Sequence, residues 1–345
     1  MKRLTSLKFA ATAVLAIGLM PASALAQEVT LNLHQFLPAP ATVPKHILKP
    51  WATAVEERAG GKLKIEHFDS MALGGKPSGL MDQAIDGVAD IIMTVVGYTP
   101  GRFPQTEVFE LPFMMTDPVA TSKAFQDLVE TDLQDGEYKD VKVLGAWVHG
   151  PGVIHTASAV KQVEDLEGLK IRAPTRVIND MLKELGATPV GLPLPAIPEA
   201  LSKGVVSGTV IPWEVTPAIK LSELVTHHTE FVGEESLYTA TIVLAMNRAK
   251  YNSLPEDIRA AIDAESGLIL SEMAARVMWE KDAPGREIAE DAGNTIIQLS
   301  EAEVARFKDR SRPVVDRWVA EMDAKGIDAR ALIAKAKGLI EKHGG

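Results

Sequence analysis

Cysteine is absent from the 345 residues, so disulfide frameworks, thiolate zinc sites, iron–sulfur clusters and cysteine nucleophiles are excluded. Positive charge is scarce as well: 36 Lys and Arg stand against 46 Asp and Glu, for a net charge of −10. Nucleic-acid phosphates require a basic face, so a nucleic-acid partner is not expected. Only 47 residues are Gly or Pro, too few for a disordered chain. The length suits about two globular domains of ~150 residues each.

The first 26 residues have the features of a secretory signal peptide. Lys2, Arg3 and Lys8 precede an apolar run from Phe9 to Met20, and Ala24-Leu25-Ala26 supplies small residues before a cut at Gln27. A membrane anchor is the alternative, but 12 apolar residues are too few to span ~30 Å as a helix. No later segment reaches the ~20 apolar residues that a spanning helix needs. We therefore expect an exported chain of 319 residues, periplasmic in a cell with two membranes.

The mature chain alternates strand and helix patterns. Val29–Phe36 has strand periodicity, residues 45–59 have a helical apolar face, and Val141–Trp147 is a continuous apolar strand. A second series follows residue 150, with strands at Leu169–Ile171 and Thr209–Trp213. This alternation predicts two α/β units with mixed, mostly parallel sheets, whose buried strands read apolar throughout.

Beyond the second unit the sequence has mainly helical patterns. Ser253-Leu254-Pro255-Glu256 is typical of a capping box, and the helix that it begins is expected to continue to about Lys281. Such a helix would be ~40 Å long, which favours one that spans both domains. A second box at Ser300 predicts a helix toward Met322, after a short strand at Thr295–Leu299. A final amphipathic helix is predicted at Ala329–Glu341.

Sequence signatures of catalysis are missing. There is no G-x-S-x-G, no H-E-x-x-H and no G-x-x-x-x-G-K-[ST], and Gly150-Pro151-Gly152 reads as a turn. The adjacent His227 and His228 point different ways on any regular element, so a surface or loop pair is favoured over a metal site. Neither a cofactor nor a metal site is predicted.

Polar and aromatic side chains stand at the carboxyl ends of predicted strands, where open α/β sheets bind ligands. Arg172 ends one strand, and its guanidinium would hold a carboxylate through two charge-assisted hydrogen bonds. The alternative is a surface ion pair with Glu164, Asp165 or Glu167. The other strand-end candidates are Phe36, Tyr98, Trp147, His149, Trp213 and Glu214. Together they suggest a cleft for a carboxylate that carries an apolar body.

A longer motif surrounds Arg172. The run Asp165-Leu166-Glu167-Gly168-Leu169-Lys170-Ile171-Arg172-Ala173-Pro174 resembles the "DLxGLKIRxP" signature of the DctP-type solute receptors of TRAP transporters. The resemblance covers essentially the whole mature chain, in the family's order. It continues at Asp86-Gly87-Val88-Ala89-Asp90, Leu111-Pro112-Phe113, Glu199-Ala200-Leu201-Ser202-Lys203-Gly204-Val205-Val206-Ser207-Gly208 and Leu254-Pro255-Glu256-Asp257-Ile258.

The resemblance implies a two-lobed periplasmic-binding-protein fold, with crossing strands and a long hinge helix. Lobe I would comprise 27–149 and about 238–277, and lobe II 150–237 and about 278–345. Arg172 would clamp the carboxylate of the ligand, the partner would be a TRAP membrane permease, and the chain would catalyse nothing.

Departures from the family pattern suggest which ligand is bound. Many relatives carry a second arginine where this chain has Gly150-Pro151-Gly152, leaving His149 as the nearest basic group. Ile211 replaces the asparagine of "ENP", and Leu194 follows the position of "mPw". An unpaired buried hydroxyl or carboxylate costs ~1–3 kcal/mol. We therefore expect a monocarboxylate with an aromatic or apolar tail, or a 2-oxo or 2-hydroxy acid.

Glu214 leaves two roles open: it could accept a ligand hydroxyl, or ligate a cation that bridges to a 2-oxo acid. His149 or His34 could take the first role instead. A receptor for a dicarboxylate or sugar acid is the alternative within the same class. A secreted hydrolase or isomerase that uses Glu214 and a histidine, and a sensory subunit with the same fold, are the further alternatives.

Overall fold

The computed structural model describes residues 29–345, which form two separate β-sheets flanked by helices. The first sheet has five strands in the order β2-β1-β3-β10-β4. Its strands are β1 (Val29–His34), β2 (Leu63–Phe68), β3 (Ile91–Val95), β4 (Val141–Val148) and β10 (Thr241–Asn247). Strand β1 is parallel to β2 and β3, whereas β10 is antiparallel to both of its neighbours.

The second sheet has six strands in the order β11-β9-β5-β8-β6-β7. Its strands are β5 (Val153–Thr156), β6 (Lys170–Ala173), β7 (Thr188–Gly191), β8 (Gly208–Ile211), β9 (His227–Glu230) and β11 (Thr295–Gln298). Strand β6 is parallel to β7 and β8, and β9 is parallel to β11, while β5 is antiparallel to its neighbours. Both sheets are therefore mixed, and parallel pairings outnumber antiparallel ones only in the second sheet.

Ten α-helices accompany the strands in the described part of the chain. They are α1 (Lys49–Arg58), α2 (Leu80–Ile85), α3 (Pro118–Leu128), α4 (Arg176–Glu184), α5 (Ile197–Ser202), α6 (Arg248–Ser253), α7 (Glu256–Ala264), α8 (Leu268–Asp291), α9 (Glu301–Ala324) and α10 (Ala329–Lys342). No helix between Val29 and Gly345 is long and apolar enough to cross a membrane. The predicted signal peptide, residues 1–26, lies outside the described residues.

The chain passes between the two sheets through residues 149–152 and again through residues 231–240, which we call the first and second crossing segments. Helix α8 is the third connection. Its 24 residues extend about 36 Å, at 1.5 Å per residue. We call the elements around the first sheet the first lobe and those around the second sheet the second lobe. Helix α8 packs on α3 and β4 of the first lobe and on the 3-10 helix Trp213–Ile219 of the second. A long helix shared by both lobes is thereby confirmed.

The bounds predicted for that helix are wrong. Ser253 ends α6 and donates its hydroxyl to the Lys250 carbonyl, so it does not cap the next helix. After α7 the backbone breaks at Gly267, whose φ of +69° requires glycine. The Gly267 N–H donates to the carbonyl of Leu144 in β4 (2.7 Å), so it leaves the helical pattern. The Ser300 cap is confirmed: its hydroxyl oxygen accepts the Glu303 N–H.

Three strands were not expected, namely β5, β9 and β10. Because β9 contains His227 and His228, the surface or loop pair predicted there is wrong: His228 is fully buried, and its Nδ1 lies 2.7 Å from Nδ1 of His155. Among residues 29–345, no group of three or more His, Asp or Glu side chains has an arrangement that could hold a metal ion.

The last helix returns to the first lobe. Helix α10 packs against α3, although the predicted division placed residues 278–345 in lobe II. Helix α9 packs on α4 of the second lobe, so the chain changes sides again between α9 and α10. The lobe boundaries stay a prediction.

Candidate functional site

A small cavity lies where the two lobes meet. Its volume is about 50 Å³. Most of its wall is apolar and comes from both lobes: Phe36, Leu37, Val43, Met93, Val95, Pro174, Leu194, Val210, Ile211, Pro212, Val215, Ala240, Ile242 and Met278. The polar side chains in the wall are Tyr98, His149, Arg172, Glu214 and Tyr238. The cavity therefore suits a small, mainly apolar molecule with few polar groups.

Arg172, in β6, is only 1% exposed and lines this cavity. Its Nε donates to the Leu192 carbonyl (2.7 Å) and its Nη1 to the Val210 carbonyl (3.3 Å), which fix the plane of the guanidinium. No carboxylate among residues 29–345 forms an ion pair with it, so the surface ion pair considered above is excluded. Burial lowers the pKa of Arg172, but its charge persists at neutral pH and lacks an anion.

Two tyrosine hydroxyls lie close enough to Arg172 for its charge to lower their pKa against the raising effect of burial. The Tyr98 oxygen accepts the Leu194 N–H (3.0 Å), which leaves its own hydrogen free to donate. The buried Tyr238 hydroxyl has no hydrogen-bond partner in the described chain. Two hydroxyl donors and the Nη2 of Arg172 are thus available to one anion.

Among the polar side chains of the wall, Tyr238 is the one that sequence reasoning missed. It lies in the second crossing segment, just before the unexpected strand β10, and no strand-end rule points to it. The first crossing segment makes room for its ring: a Cβ on Gly152 would lie 2.6 Å from Cζ of Tyr238. Gly152 is therefore the one sequence signal for a bulky neighbour at this point.

His149 lines the cavity, but both of its ring nitrogens are already used. Nε2 accepts the Ala240 N–H (3.0 Å), so Nδ1 carries the hydrogen and donates to the Gly150 carbonyl (2.6 Å). Burial, together with the charge of Arg172, lowers the pKa of His149 to about 4. The ring is neutral and meets Tyr238 edge-on, with centroids 5.5 Å apart. His149 therefore has no free nitrogen to accept a hydrogen bond from a ligand hydroxyl, contrary to the expectation that it could take that role.

Three of the ten predicted site residues do not line the cavity. His34 uses Nδ1 for Gln83 Oε1 (2.7 Å) and accepts a backbone N–H at Nε2. Trp147 is fully buried in the first sheet. Trp213 points to the opposite side of its 3-10 helix, where its Nε1 donates to Glu230 (2.9 Å). The remaining seven predicted residues line the cavity together: Phe36, Tyr98, His149, Arg172, Leu194, Ile211 and Glu214.

The carboxyl group of Asp282 lies next to Glu214. Asp282, on α8, accepts the backbone N–H of Glu214 at Oδ1 (2.8 Å). Burial and the neighbouring Asp282 raise the pKa of Glu214 to about 8, and burial raises the pKa of Asp282 to about 7. Of these two carboxyl groups, that of Glu214 is the more readily protonated at neutral pH.

The two lobes touch around the cavity. Arg176, in α4, forms a two-pronged ion pair with Glu107 of the first lobe, and Glu107 also accepts the indole N–H of Trp318 (3.2 Å). Gly97 of the first lobe packs so tightly on Thr175 of the second that a Cβ there would lie 2.5 Å from the threonine Cβ. The structure thus shows the lobes closed over Arg172.

A larger open cleft of about 780 Å³ lies elsewhere at the lobe junction and is not the better candidate. Its arginine, Arg286, already pairs with Glu230 and Glu290. Asp117, Glu234 and several other acids add negative charge to its wall. An anion would find no free cation there.

Comparisons with known proteins agree with this geometry. The model of the family "Bacterial extracellular solute-binding protein, family 7" matches residues 35–322. A TRAP solute-binding protein from Rhodoferax ferrireducens, solved with copurified benzoate, is 48% identical, with a TM-score of 0.90 over 91% of this chain and 98% of that one.

Two further solved structures are similar. A marine metagenome TRAP solute-binding protein specific for aromatic acid ligands, in complex with 3-hydroxybenzoate, is 45% identical with a TM-score of 0.90, over 92% of this chain and 100% of that one. A TRAP periplasmic solute-binding protein from Bordetella bronchiseptica, with bound (R)- and (S)-mandelate, is 31% identical with a TM-score of 0.84, over 91% and 99%.

Proposed function

This chain belongs to the bacterial extracellular solute-binding protein family 7, and from that premise we propose that it is the periplasmic receptor of a TRAP transport system. It closes its two lobes on a small aromatic monocarboxylate and delivers it to a membrane permease. It releases the ligand chemically unchanged.

The observation that carries the proposal is the unpaired, buried guanidinium of Arg172. Burying a charge without a counter-ion is costly, so the closed cavity is complete only with an anion inside. The Nη2 of Arg172 and the hydroxyls of Tyr98 and Tyr238 offer donors for the two oxygens of one carboxylate. The rest of the wall is mainly apolar and suits a hydrocarbon ring.

A second carboxylate on the ligand would meet no further cation in this wall. His149 is neutral and its nitrogens are occupied, and the place of a second arginine is taken by Gly150-Pro151-Gly152. A dicarboxylate or a sugar acid would therefore leave charge or hydroxyl groups unpaired in an apolar enclosure. The ligands of the relatives, benzoate, 3-hydroxybenzoate and mandelate, are monocarboxylates with a single ring.

A thermal-shift panel tests the proposal. A ligand at 100 times its Kd adds ~2.7 kcal/mol to the free energy of unfolding, so benzoate, 3-hydroxybenzoate or mandelate is expected to raise the melting temperature by several degrees. Succinate represents the dicarboxylates in the panel, and glucuronate represents the sugar acids. A rise with those two alone would contradict the proposed ligand class. An altered ligand, found by NMR after long incubation, would favour an enzyme instead.

Tyr238→Phe should weaken benzoate binding about tenfold by isothermal calorimetry, because the ring stays while one donor to the carboxylate is lost. The ligand-free protein should melt at the same or a slightly higher temperature, since the hydroxyl has no partner to lose. Tyr138→Phe is the matched control. Its buried hydroxyl bonds to Thr106 (2.9 Å), so its loss should lower stability and leave affinity unchanged. Equal benzoate affinity of Tyr238→Phe and the unaltered protein would remove this hydroxyl from the site.

A further inference from the structure

The carboxyl group of Glu214 is not used by the carboxylate site described above. Glu214 lines the same cavity and is 6% exposed. Its backbone is held on two sides: the N–H donates to Asp282 on α8, and the carbonyl accepts the Thr42 hydroxyl of the first lobe (3.4 Å). The backbone of Glu214 is therefore fixed at the place where both lobes and α8 meet.

Glu214 and Arg172 lie at different places in the cavity. The guanidinium of Arg172 donates to the Leu192 and Val210 carbonyls and forms no ion pair with Glu214 in the described chain, whereas Glu214 is held beside Asp282. A ligand carboxylate bound by Arg172 and the two tyrosines thus leaves the carboxyl of Glu214 facing another part of the ligand.

The cavity favours the neutral form of Glu214. With the ligand bound, the guanidinium of Arg172 would pair with the ligand carboxylate, so an ionised Glu214 beside Asp282 would add uncompensated negative charge to a buried space. Asp282 already accepts a backbone N–H, which stabilises its charge. The titratable groups that line the cavity or pack against Glu214 are Tyr98, His149, Arg172, Tyr238 and Asp282.

We propose that Glu214, as a neutral carboxylic acid, recognises a hydroxyl group on the ligand's ring, so that the preferred ligands are hydroxylated aromatic monocarboxylates. This inference rests on the proposed function. A protonated carboxyl has one O–H donor and one carbonyl acceptor, and a ring hydroxyl has one donor and one acceptor to match them. An unsubstituted ring offers the carboxyl no hydrogen-bond partner in a mainly apolar wall.

Calorimetry with benzoate, 3-hydroxybenzoate and 4-hydroxybenzoate tests the role of Glu214. At pH 7 the protein is expected to bind the better hydroxybenzoate at least tenfold more tightly than benzoate. Glu214→Leu should abolish that preference, so that benzoate and the hydroxybenzoates bind the variant within about threefold of each other. Glu214→Gln, which keeps a donor and an acceptor, should retain most of the preference.

The pH dependence separates this role from a structural one. The pKa of Glu214 is raised to about 8, so the neutral form is present below that pH and is lost as the pH rises through it. Affinity for the hydroxybenzoate should fall above pH 8, by up to tenfold per pH unit, because an ionised Glu214 adds negative charge to a cavity that holds an anion. Glu214→Gln should bind with a flat profile over the same range.

The outcomes are distinguishable. Equal affinities for benzoate and both hydroxybenzoates, unchanged in Glu214→Leu, would overturn the hydroxyl site and leave the proposed function standing. Failure of all three acids to bind would overturn the proposed function itself. Tightest binding of an acid with an ammonium group, such as 3-(aminomethyl)benzoate, strengthening as the pH rises, would show an ionised Glu214 and also overturn the inference.

Discussion

Replacing Arg172 with alanine is expected to weaken benzoate binding by about 100-fold or more. The substitution removes the one charged donor of the carboxylate site and leaves the ligand anion in a mainly apolar enclosure. Truncating one partner of a buried charge pair costs 2–5 kcal/mol, and ~2.7 kcal/mol already corresponds to 100-fold in Kd. Isothermal calorimetry measures the change directly, and the melting temperature of the ligand-free variant confirms that it is folded.

Arg172→Lys and Arg286→Ala complete this test. Lysine keeps the charge but lacks the planar fork that bonds to Leu192 and Val210, so an intermediate loss of about tenfold is expected. Arg286 lines the other cleft and pairs with Glu230, so its removal should leave Kd within twofold. A Kd for Arg172→Ala equal to that of the unaltered protein would place the carboxylate somewhere else.

Gly97→Ala should reduce affinity by about 30-fold or more while the ligand-free protein remains as stable as before. An alanine Cβ would lie 2.5 Å from Cβ of Thr175 in the opposite lobe, and rotation of the threonine side chain cannot relieve that contact. The lobes would have to part, which opens the cavity to water and moves Tyr98 away from Leu194. The φ of Gly97 is not in the left-handed region, so alanine adds no backbone strain within the first lobe.

Two variants distinguish a closure defect from a general one. Gly79→Ala adds the same methyl group where no atom lies within 4 Å, and it should bind benzoate normally. Thr175→Gly, combined with Gly97→Ala, removes the opposing Cβ and should restore most of the affinity. Normal binding by Gly97→Ala alone would mean that the ligand-bound lobes do not approach each other as closely as they do here.

Much of the site could be predicted because buried parallel strands and their carboxyl ends leave clear signals. Arg172 ends a short apolar strand and is followed by Ala173-Pro174, so its position at the sheet edge follows from sequence alone. Ile211 and Leu194 were identified from the family pattern, and both line the cavity. Each of these residues lies in or beside a short local element that the sequence pattern indicates.

The errors arise where orientation depends on long-range packing. Trp213 and Glu214 are neighbours in a 3-10 helix, and the sequence does not tell which of them faces the ligand. Glu214 faces the cavity because Asp282, 68 residues later, binds its N–H. The sequence gives no direct signal for Tyr238, because its segment connects the two lobes and forms neither a helix nor a strand. Strand β10 reads Thr-Ile-Val-Leu-Ala-Met-Asn, an apolar run that no periodicity distinguishes from a buried helix turn.

The position of β10 has a consequence for the order in which the chain acquires its structure. Strands β3 and β4 are not paired with each other; β10 lies between them, yet it is synthesised only after all but one strand of the second sheet. Until residue 247 is available, the first lobe has two open strand edges at its centre and cannot complete its core. Such distant pairings make folding slow, so the first lobe is expected to complete its sheet only late in folding.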